Sequence, residues 1–255
     1  MQRPGFRQTS ALFVVCLLLQ AQTRPVELVV MTSGTFTAAH LELAAEFEQS
    51  TKTKVTTGTT SMGVGAESIP SRLKRGESAD VVIVAGDALD DLIKDGLVIA
   101  DSRVDLARSR IGMAVRSGAD KPDISTVAAL KQTLLNAKSV ALSSSVSGDY
   151  FTKELFPRLG IAGEMAPKTR RSGGERVGTL IVRGEAEIGF QQMSELLPIG
   201  GIDVVGPLPS EVQRVTIFAA GIAAHSKHAD AARAYIRFLA SPKAANAVAR
   251  TGLER

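Results

Sequence analysis

The sequence predicts an α/β protein of two lobes, each a mostly parallel sheet flanked by helices. Short apolar, β-branched runs alternate with segments of helical periodicity, and this alternation starts near residue 26 and again near residue 110. No low-complexity tether separates the two runs, so we expect two crossing strands to join the lobes. The predicted bounds are 26–109 with 216–255 for lobe 1, and 110–215 for lobe 2.

Residues 1–24 are predicted to form a secretory signal peptide. Arg3 and Arg7 precede an apolar run over residues 11–19, which is too short to span a membrane. Cys16 would be removed with this segment, and the mature chain would then contain no thiol or disulfide. We therefore expect an exported, periplasmic protein.

The charge balance argues against a nucleic-acid partner. Removing the three arginines of the signal segment from 30 basic residues leaves 27 against 26 acidic ones, so the mature chain would be nearly neutral. Aromatic residues make up only 4% of the chain and Trp is absent, which disfavours a sugar or oligopeptide site built on stacking surfaces. A small anionic ligand is the expected partner.

The first strand is predicted to lead directly into a helix through hydroxyl residues. The run 26–31 is apolar and β-branched, Ser33 and Thr35 follow it, and apolar residues then recur at helical spacing up to Phe47. The first N–H groups of a helix lack intrahelical partners and lie at the positive end of its dipole. Together with two hydroxyls, they predict an anion-binding site.

Two further loops have the same composition. The segment 58–65 is rich in glycine and hydroxyl residues and contains Ser61, and the segment 143–148 contains Ser147 before a predicted helix. Neither has the spacing of a phosphate-binding P-loop or a dinucleotide fingerprint. Three such junctions suggest one shared ligand, a doubly charged oxyanion bound by N–H groups and hydroxyls without any arginine.

A basic segment keeps an alternative open. Arg170 and Arg171 lie in a polar stretch that ends near Gly174, which we also assign to the ligand site. If these guanidinium groups point inward, they would bind a planar carboxylate bidentately. The ligand would then be a small organic carboxylate.

These residues together resemble the periplasmic molybdate-binding family of ABC importers, within the type II periplasmic binding protein fold. The resemblance spans about residues 26–253 and is carried by the order of four segments: 29–35, 72–81, 147–150 and 241–245. It implies a monomer without cofactor or bound metal, which delivers a tetrahedral oxyanion such as molybdate or tungstate to an ABC permease and its ATPase. Thr35 matches a ligand-binding hydroxyl of that family and Ser147 a backbone donor. Gln192 falls where the family has a Tyr, and its amide can donate to an oxygen.

No catalytic machinery is evident in the sequence. The motif of serine hydrolases is missing, and the three histidines have no spacing typical of a metal site. Ser71 and Lys74 have the Ser-x-x-Lys spacing of penicillin-binding enzymes, but no Ser-Asp-Asn or Lys-Thr-Gly motif accompanies them, so we treat the match as chance. A hydrolase and the sensory lobes of a transcriptional regulator remain alternatives, and the predicted signal peptide disfavours the regulator. The expectation is a binding protein rather than an enzyme.

Overall fold

The structure, a computed structural model, describes residues 25–59 and 65–255. Within these ranges nine strands are found: β1 (Glu27–Thr32), β2 (Lys54–Thr59), β3 (Val81–Ala85), β4 (Val104–Arg116), β5 (Val140–Leu142), β6 (Thr169–Arg171), β7 (Ile188–Gln192), β8 (Ile202–Pro207) and β9 (Val215–Ile222). Strands and helices alternate along the chain, as the sequence predicts.

The same ranges contain eleven α-helical segments. They are α1 (Gly34–Thr51), α2 (Ile69–Lys74), α3 (Gly86–Lys94), α4 (Val127–Asn136), α5 (Val146–Tyr150), α6 (Phe156–Leu159), α7 (Ala162–Met165), α8 (Val177–Arg183), α9 (Met193–Leu196), α10 (Ala229–Ala240) and α11 (Ala245–Arg250). One turn of π-helix (Phe151–Leu155) joins α5 to α6, so the chain is helical from 146 to 159. In the described part of the chain, no helix is long and apolar enough to cross a membrane.

The strands form one continuous sheet in the order β2-β1-β3-β9-β4-β7-β5-β6, with β8 paired to β4. β1 is parallel to β2 and β3, and β5 is parallel to β6 and β7. The long strand β4 links these two parallel groups, since residues 104–110 pair with β9 and residues 111–116 pair with β7 and β8. This is an α/β fold with two mostly parallel groups of strands, as predicted.

Apolar side chains pack into separate cores on the two sides of this crossing. The buried residues of one side come from 28–107 and 218–253, and those of the other side from 111–212. The division falls inside β4, close to the predicted lobe boundary at residue 109. The lobe bounds stay a prediction, which this distribution of the core supports.

Two short elements near the candidate site were not predicted from the sequence. Strand β6 contains the basic segment expected to be a turn, and the single-turn helix α9 follows β7 directly. Three or four residues are too few for apolar periodicity to show. Pairing with β5 and packing against α1 and β4 therefore define these elements.

Candidate functional site

A cavity of about 470 Å³ lies where the carboxyl ends of the parallel strands meet. Loops after β1, β3, β5, β6 and β7 surround it, the usual position of a ligand site in an open α/β sheet. Most of its lining residues have polar side chains, and they come from both sides of the β4 crossing. The lining residues are Ser33, Gly34, Thr35, Thr37, Glu67, Arg72, Ala85, Ala88, Ser143, Ser144, Ser145, Val146, Ser172, Gly174, Glu175, Arg176, Gln191, Gln192, Glu195, Thr216 and Phe218.

One wall of the cavity is the N-terminus of α1. Ser33 is the N-cap residue, yet its hydroxyl caps no N–H of the helix. This Oγ atom is buried and has no hydrogen-bond partner within the part of the chain that the structure describes. Because a buried hydroxyl without a partner is unfavourable, Ser33 is poised to bind a ligand together with the first N–H groups of α1.

A serine loop after β5 forms a second wall. Ser143 Oγ lies 2.8 Å from Ser147 Oγ and 3.1 Å from Ser145 Oγ, and it accepts a hydrogen bond from Gly148 N at 3.1 Å. Gly148 allows this tight turn, since a Cβ there would lie 1.9 Å from Ser143 O. The loop therefore holds Ser143, Ser144 and Ser145 at the cavity surface.

Two more buried polar atoms of the cavity wall lack partners. Ser172 Oγ, directly after β6, makes no hydrogen bond, and neither does Gln192 Oε1 at the end of β7. Gln192 Nε2 donates to Thr216 Oγ1 at 3.2 Å. Like Ser33, these groups are available to a polar ligand.

Glu195 on α9 lies against the N-terminus of α1. Thr35 donates to Glu195 Oε2 at 3.2 Å, and a Cβ on Gly34 would lie 2.5 Å from Glu195 Oε1. Desolvation by the surrounding protein raises the pKa of Glu195 to about 6, although Thr35, Arg176 and Gln191 each act to lower it. A carboxyl group with such a pKa is suited to accept and return a proton near neutral pH.

Two arginines line the cavity. Arg72 forms a bidentate pair with the Glu77 carboxylate, which raises the pKa of Arg72 above its ordinary value. Arg176, directly before α8, makes no side-chain hydrogen bond or ion pair with any described residue, and it is half-buried. The first N–H of α8, that of Val177, donates instead to Gln191 Oε1 at 2.8 Å.

Four of the predicted ligand residues line this cavity: Ser33, Thr35, Gly174 and Gln192. Their contact with a ligand remains a prediction. Ser61 lies outside the described residues. The Ser147 side chain does not line the cavity, because its buried hydroxyl is hydrogen-bonded within the serine loop.

Arg170 and Arg171 of the alternative assignment do not line the cavity. Arg171 donates to Asp149 Oδ1 at 2.6 Å, and among the described residues exposed Arg170 bonds only to nearby backbone carbonyls. An organic carboxylate in this cavity would therefore be bound by other residues.

Sequence reasoning missed Glu195, Arg176 and Ser172. No motif surrounds them, and each comes from a loop or short helix whose position depends on sheet pairing. The available signal was their place just after β6 or β7, since residues following parallel strands gather at one edge of the sheet.

The chain belongs to the bacterial extracellular solute-binding protein family, whose model matches residues 28–254. A protein of Pseudomonas sp named aconitate isomerase is 44% identical over 245 residues, which cover 96% of this chain and 94% of that protein. Similarity of this extent places the two chains in one family.

Solved structures show the type II periplasmic binding protein fold. The periplasmic molybdate-binding protein of Azotobacter vinelandii superposes with a TM-score of 0.72 at 18% identity, covering 89% of this chain and 99% of that one. The sulfate-binding protein of Mycobacterium tuberculosis has a TM-score of 0.68 at 17% identity, covering 89% and 86%. At such identities the likeness establishes the fold and leaves the ligand open.

The expectation of a protein without catalytic activity is contradicted by the relative that is 44% identical, since it is named for an enzymatic reaction. Activated serines, cysteines and metal sites have recognisable sequence motifs, and these motifs are missing here. A single carboxylate activated by burial has no such signature, because its surroundings are assembled only in the folded chain.

Proposed function

We propose that this protein is an isomerase of a small unsaturated tricarboxylate, with aconitate as the substrate and Glu195 as the base. One observation carries the proposal: a carboxylate with a pKa of about 6 lies in the cavity wall, against a helix N-terminus and beside unpartnered hydroxyls. The 44% identical relative supplies the substrate class. This proposal takes the organic-carboxylate alternative in place of molybdate or tungstate.

Two features of the cavity favour an organic carboxylate over a tetrahedral oxyanion as its ligand. Its volume of about 470 Å³ lies within the range of about 300–1,000 Å³ typical of sites for small organic molecules. In addition, Glu195 lies beside the N-terminus of α1. Simple anion binding has no use for a carboxylate beside the ligand, whereas proton transfer requires one beside a carbon acid.

The reaction needs only one proton to move. Aconitate has a methylene group and an alkene carbon on either side of a carboxylate-bearing carbon. Glu195 removes a proton from the methylene carbon, the C–H electron pair forms a new double bond, and the old double bond shifts its electrons into a carboxylate. Protonated Glu195 returns the proton to the former alkene carbon. The product has the same constitution, and its double bond is free to take the opposite geometry.

The walls of the cavity suit the intermediate of this reaction. Negative charge moves onto carboxylate oxygens after the proton is removed, and preorganised N–H and O–H donors stabilise such charge. Ser33 and the start of α1 provide donors on one wall, and the serine loop with Ser172 provides them on another. Thr35 orients the Glu195 carboxylate.

The test is conversion of trans-aconitate to the cis isomer by purified mature protein, followed by proton NMR. We expect Glu195→Gln to lower kcat by about 10²–10⁴-fold, the range of general-base catalysis. In D₂O, the wild type should introduce deuterium into the isomerised product. Glu164→Gln, on the exposed surface of α7, is the matched control and should retain full turnover.

Two results would overturn the proposal: no interconversion by the wild type, or full turnover by Glu195→Gln. Binding of aconitate without conversion would instead favour the second candidate, a solute-binding protein that delivers an organic carboxylate to an ABC permease and its ATPase. Membership of the solute-binding family supports that candidate. Export to the periplasm through residues 1–24 and a monomeric state remain predictions under both.

A further inference from the structure

We propose that Arg176 binds one carboxylate of the tricarboxylate and makes the site prefer tricarboxylates over dicarboxylates, an inference that rests on the proposed function. Five charged side chains line the described part of the cavity: Glu67, Arg72, Glu175, Arg176 and Glu195. Four already have a hydrogen-bond or ion-pair partner, and the Arg176 guanidinium has neither among the described residues.

Three of the other charged side chains of the cavity wall form ion pairs, whereas Arg176 forms none with the described residues. Arg72 is occupied by Glu77, Glu175 pairs with Arg183 at 2.7 Å, and Glu67 lies 3.7 Å from Arg75. An arginine that is half-buried without a partner has lost part of its hydration and gained no ion pair. It is therefore poised for an anion from outside the chain.

The position of Arg176 places it in the same chamber as the proposed base. It lowers the pKa of Glu195 through its charge, so the two groups are within electrostatic reach of one another. Its backbone is anchored directly before α8, where Gln191 Oε1 accepts a hydrogen bond from Val177 N. The same Gln191 side chain hydrogen-bonds Glu195. One glutamine thus contacts both Glu195 and the backbone at the start of α8.

The charge of the third carboxylate of the ligand explains why an arginine is needed in this cavity. Neutral donors at the α1 N-terminus and in the serine loop can satisfy two carboxylates. A third carboxylate brings another negative charge close to Glu195, and neutral donors do not offset it. An unpaired guanidinium does so and binds both carboxylate oxygens at once.

Four ligands distinguish this role from general anion attraction. trans-Aconitate has three carboxylates. Glutaconate lacks the central one, mesaconate lacks the one on the methylene carbon, and itaconate lacks the one on the alkene CH carbon. Calorimetry at fixed ionic strength should show that Arg176→Gln weakens aconitate binding by about 10–100-fold, the value of a hydrogen-bonded charge pair. At least one dicarboxylate, the one missing the carboxylate bound by Arg176, should change by less than about 3-fold.

Two further variants complete the test. Arg176→Lys keeps the charge without the bidentate geometry, and it should restore part of the aconitate affinity. Arg170→Gln is the matched control, since exposed Arg170 bonds only to backbone carbonyls among the described residues, and this variant should bind all four ligands like the wild type. Thermal unfolding of each variant checks that the chain folds.

The inference falls if Arg176→Gln changes aconitate affinity by less than about 3-fold, or if all three dicarboxylates lose as much affinity as aconitate. Its failure is separable from that of the proposed function. A wild type that binds aconitate without converting it would refute the isomerase, and the comparison of ligands would still decide the role of Arg176. A wild type that binds none of the ligands would refute both.

Discussion

Glu195 lies in the cavity wall, where burial disfavours its ionised form. Its carboxylate contacts the start of α1, and burial raises its pKa from 4.5 to about 6. The raised pKa means that the folded protein binds a proton more tightly than the unfolded chain. Ionised Glu195 is therefore a source of instability in the protein without ligand.

This gives a prediction about stability and pH. Between about pH 4.5 and pH 6 the folded state holds a proton that the unfolded state has lost, so stability falls as pH rises through this window. Glu195→Gln keeps a group that accepts the Thr35 hydrogen bond and removes the charge. At pH 8 we expect the variant to be more stable by up to about 2 kcal/mol, with the difference vanishing near pH 4.5.

The measurement is urea unfolding of both proteins across pH 4.5–8. Glu164→Gln should match the wild type at every pH, since Glu164 is exposed. A Glu195→Gln variant that is less stable than the wild type at pH 8 would show that the carboxylate stabilises the site instead.

The turn between β5 and the helical run from 146 to 159 requires a glycine at position 148. Gly148 packs against the carbonyl of Ser143, where a Cβ would lie only 1.9 Å from the oxygen. The clash is with backbone, which no change of rotamer relieves. The hydrogen bond from Gly148 N to Ser143 Oγ holds the same turn closed.

We therefore predict that Gly148→Ala is destabilising although alanine favours helices. Overpacking of this kind costs about 1–3 kcal/mol, and the serine loop would move away from the cavity. Gly163→Ala is the matched control, because Gly163 lies in the exposed part of α7 and a Cβ added there would have no neighbouring atom within 4 Å. That change should be neutral or stabilise by up to about 1 kcal/mol.

Chemical unfolding and aconitate calorimetry on the two variants check this prediction. We expect Gly148→Ala to lose both stability and ligand affinity, and Gly163→Ala to lose neither. Equal stability of the two variants would mean that the turn relaxes without loss, and that the serine loop is not held by this contact.

The architecture places the cavity between two separately packed cores that β4 connects. Ligand donors come from both sides of this strand, with Ser33 on one side and the serine loop on the other. A ligand that touches both sides is bound only when the two sides are close together. It therefore favours a closed arrangement through differential contact.

We predict that saturating aconitate reduces the radius of gyration in small-angle X-ray scattering. The same ligand at 100 times its Kd should stabilise the protein by about 2.7 kcal/mol. The Arg176→Gln variant at the same concentration is the control for occupancy. Identical scattering curves with and without ligand, at concentrations where calorimetry shows saturation, would contradict the prediction of two moving lobes.

Local sequence patterns were sufficient for the α/β class and for bringing Ser33 and Thr35 to the cavity wall. β-branched runs define β1 and β3, because a strand buried on both faces is largely apolar. Ser33 and Thr35 could be assigned because they directly follow a strand and begin a helix, and adjacent residues fix that geometry. Gln192 was assigned from the resemblance to the molybdate-binding family, which has a Tyr at that position.

Other parts of the site depend on contacts between residues distant in the chain. Glu195 is about 160 positions from its partner Thr35, so neither its burial nor its raised pKa has a local signature. The Arg171 guanidinium binds Asp149, 22 positions away, and Arg176 lines the cavity, and neither placement has a local sequence signature. Local periodicity determines which elements form, whereas the direction of a long charged side chain depends on which partners the folded chain brings within reach.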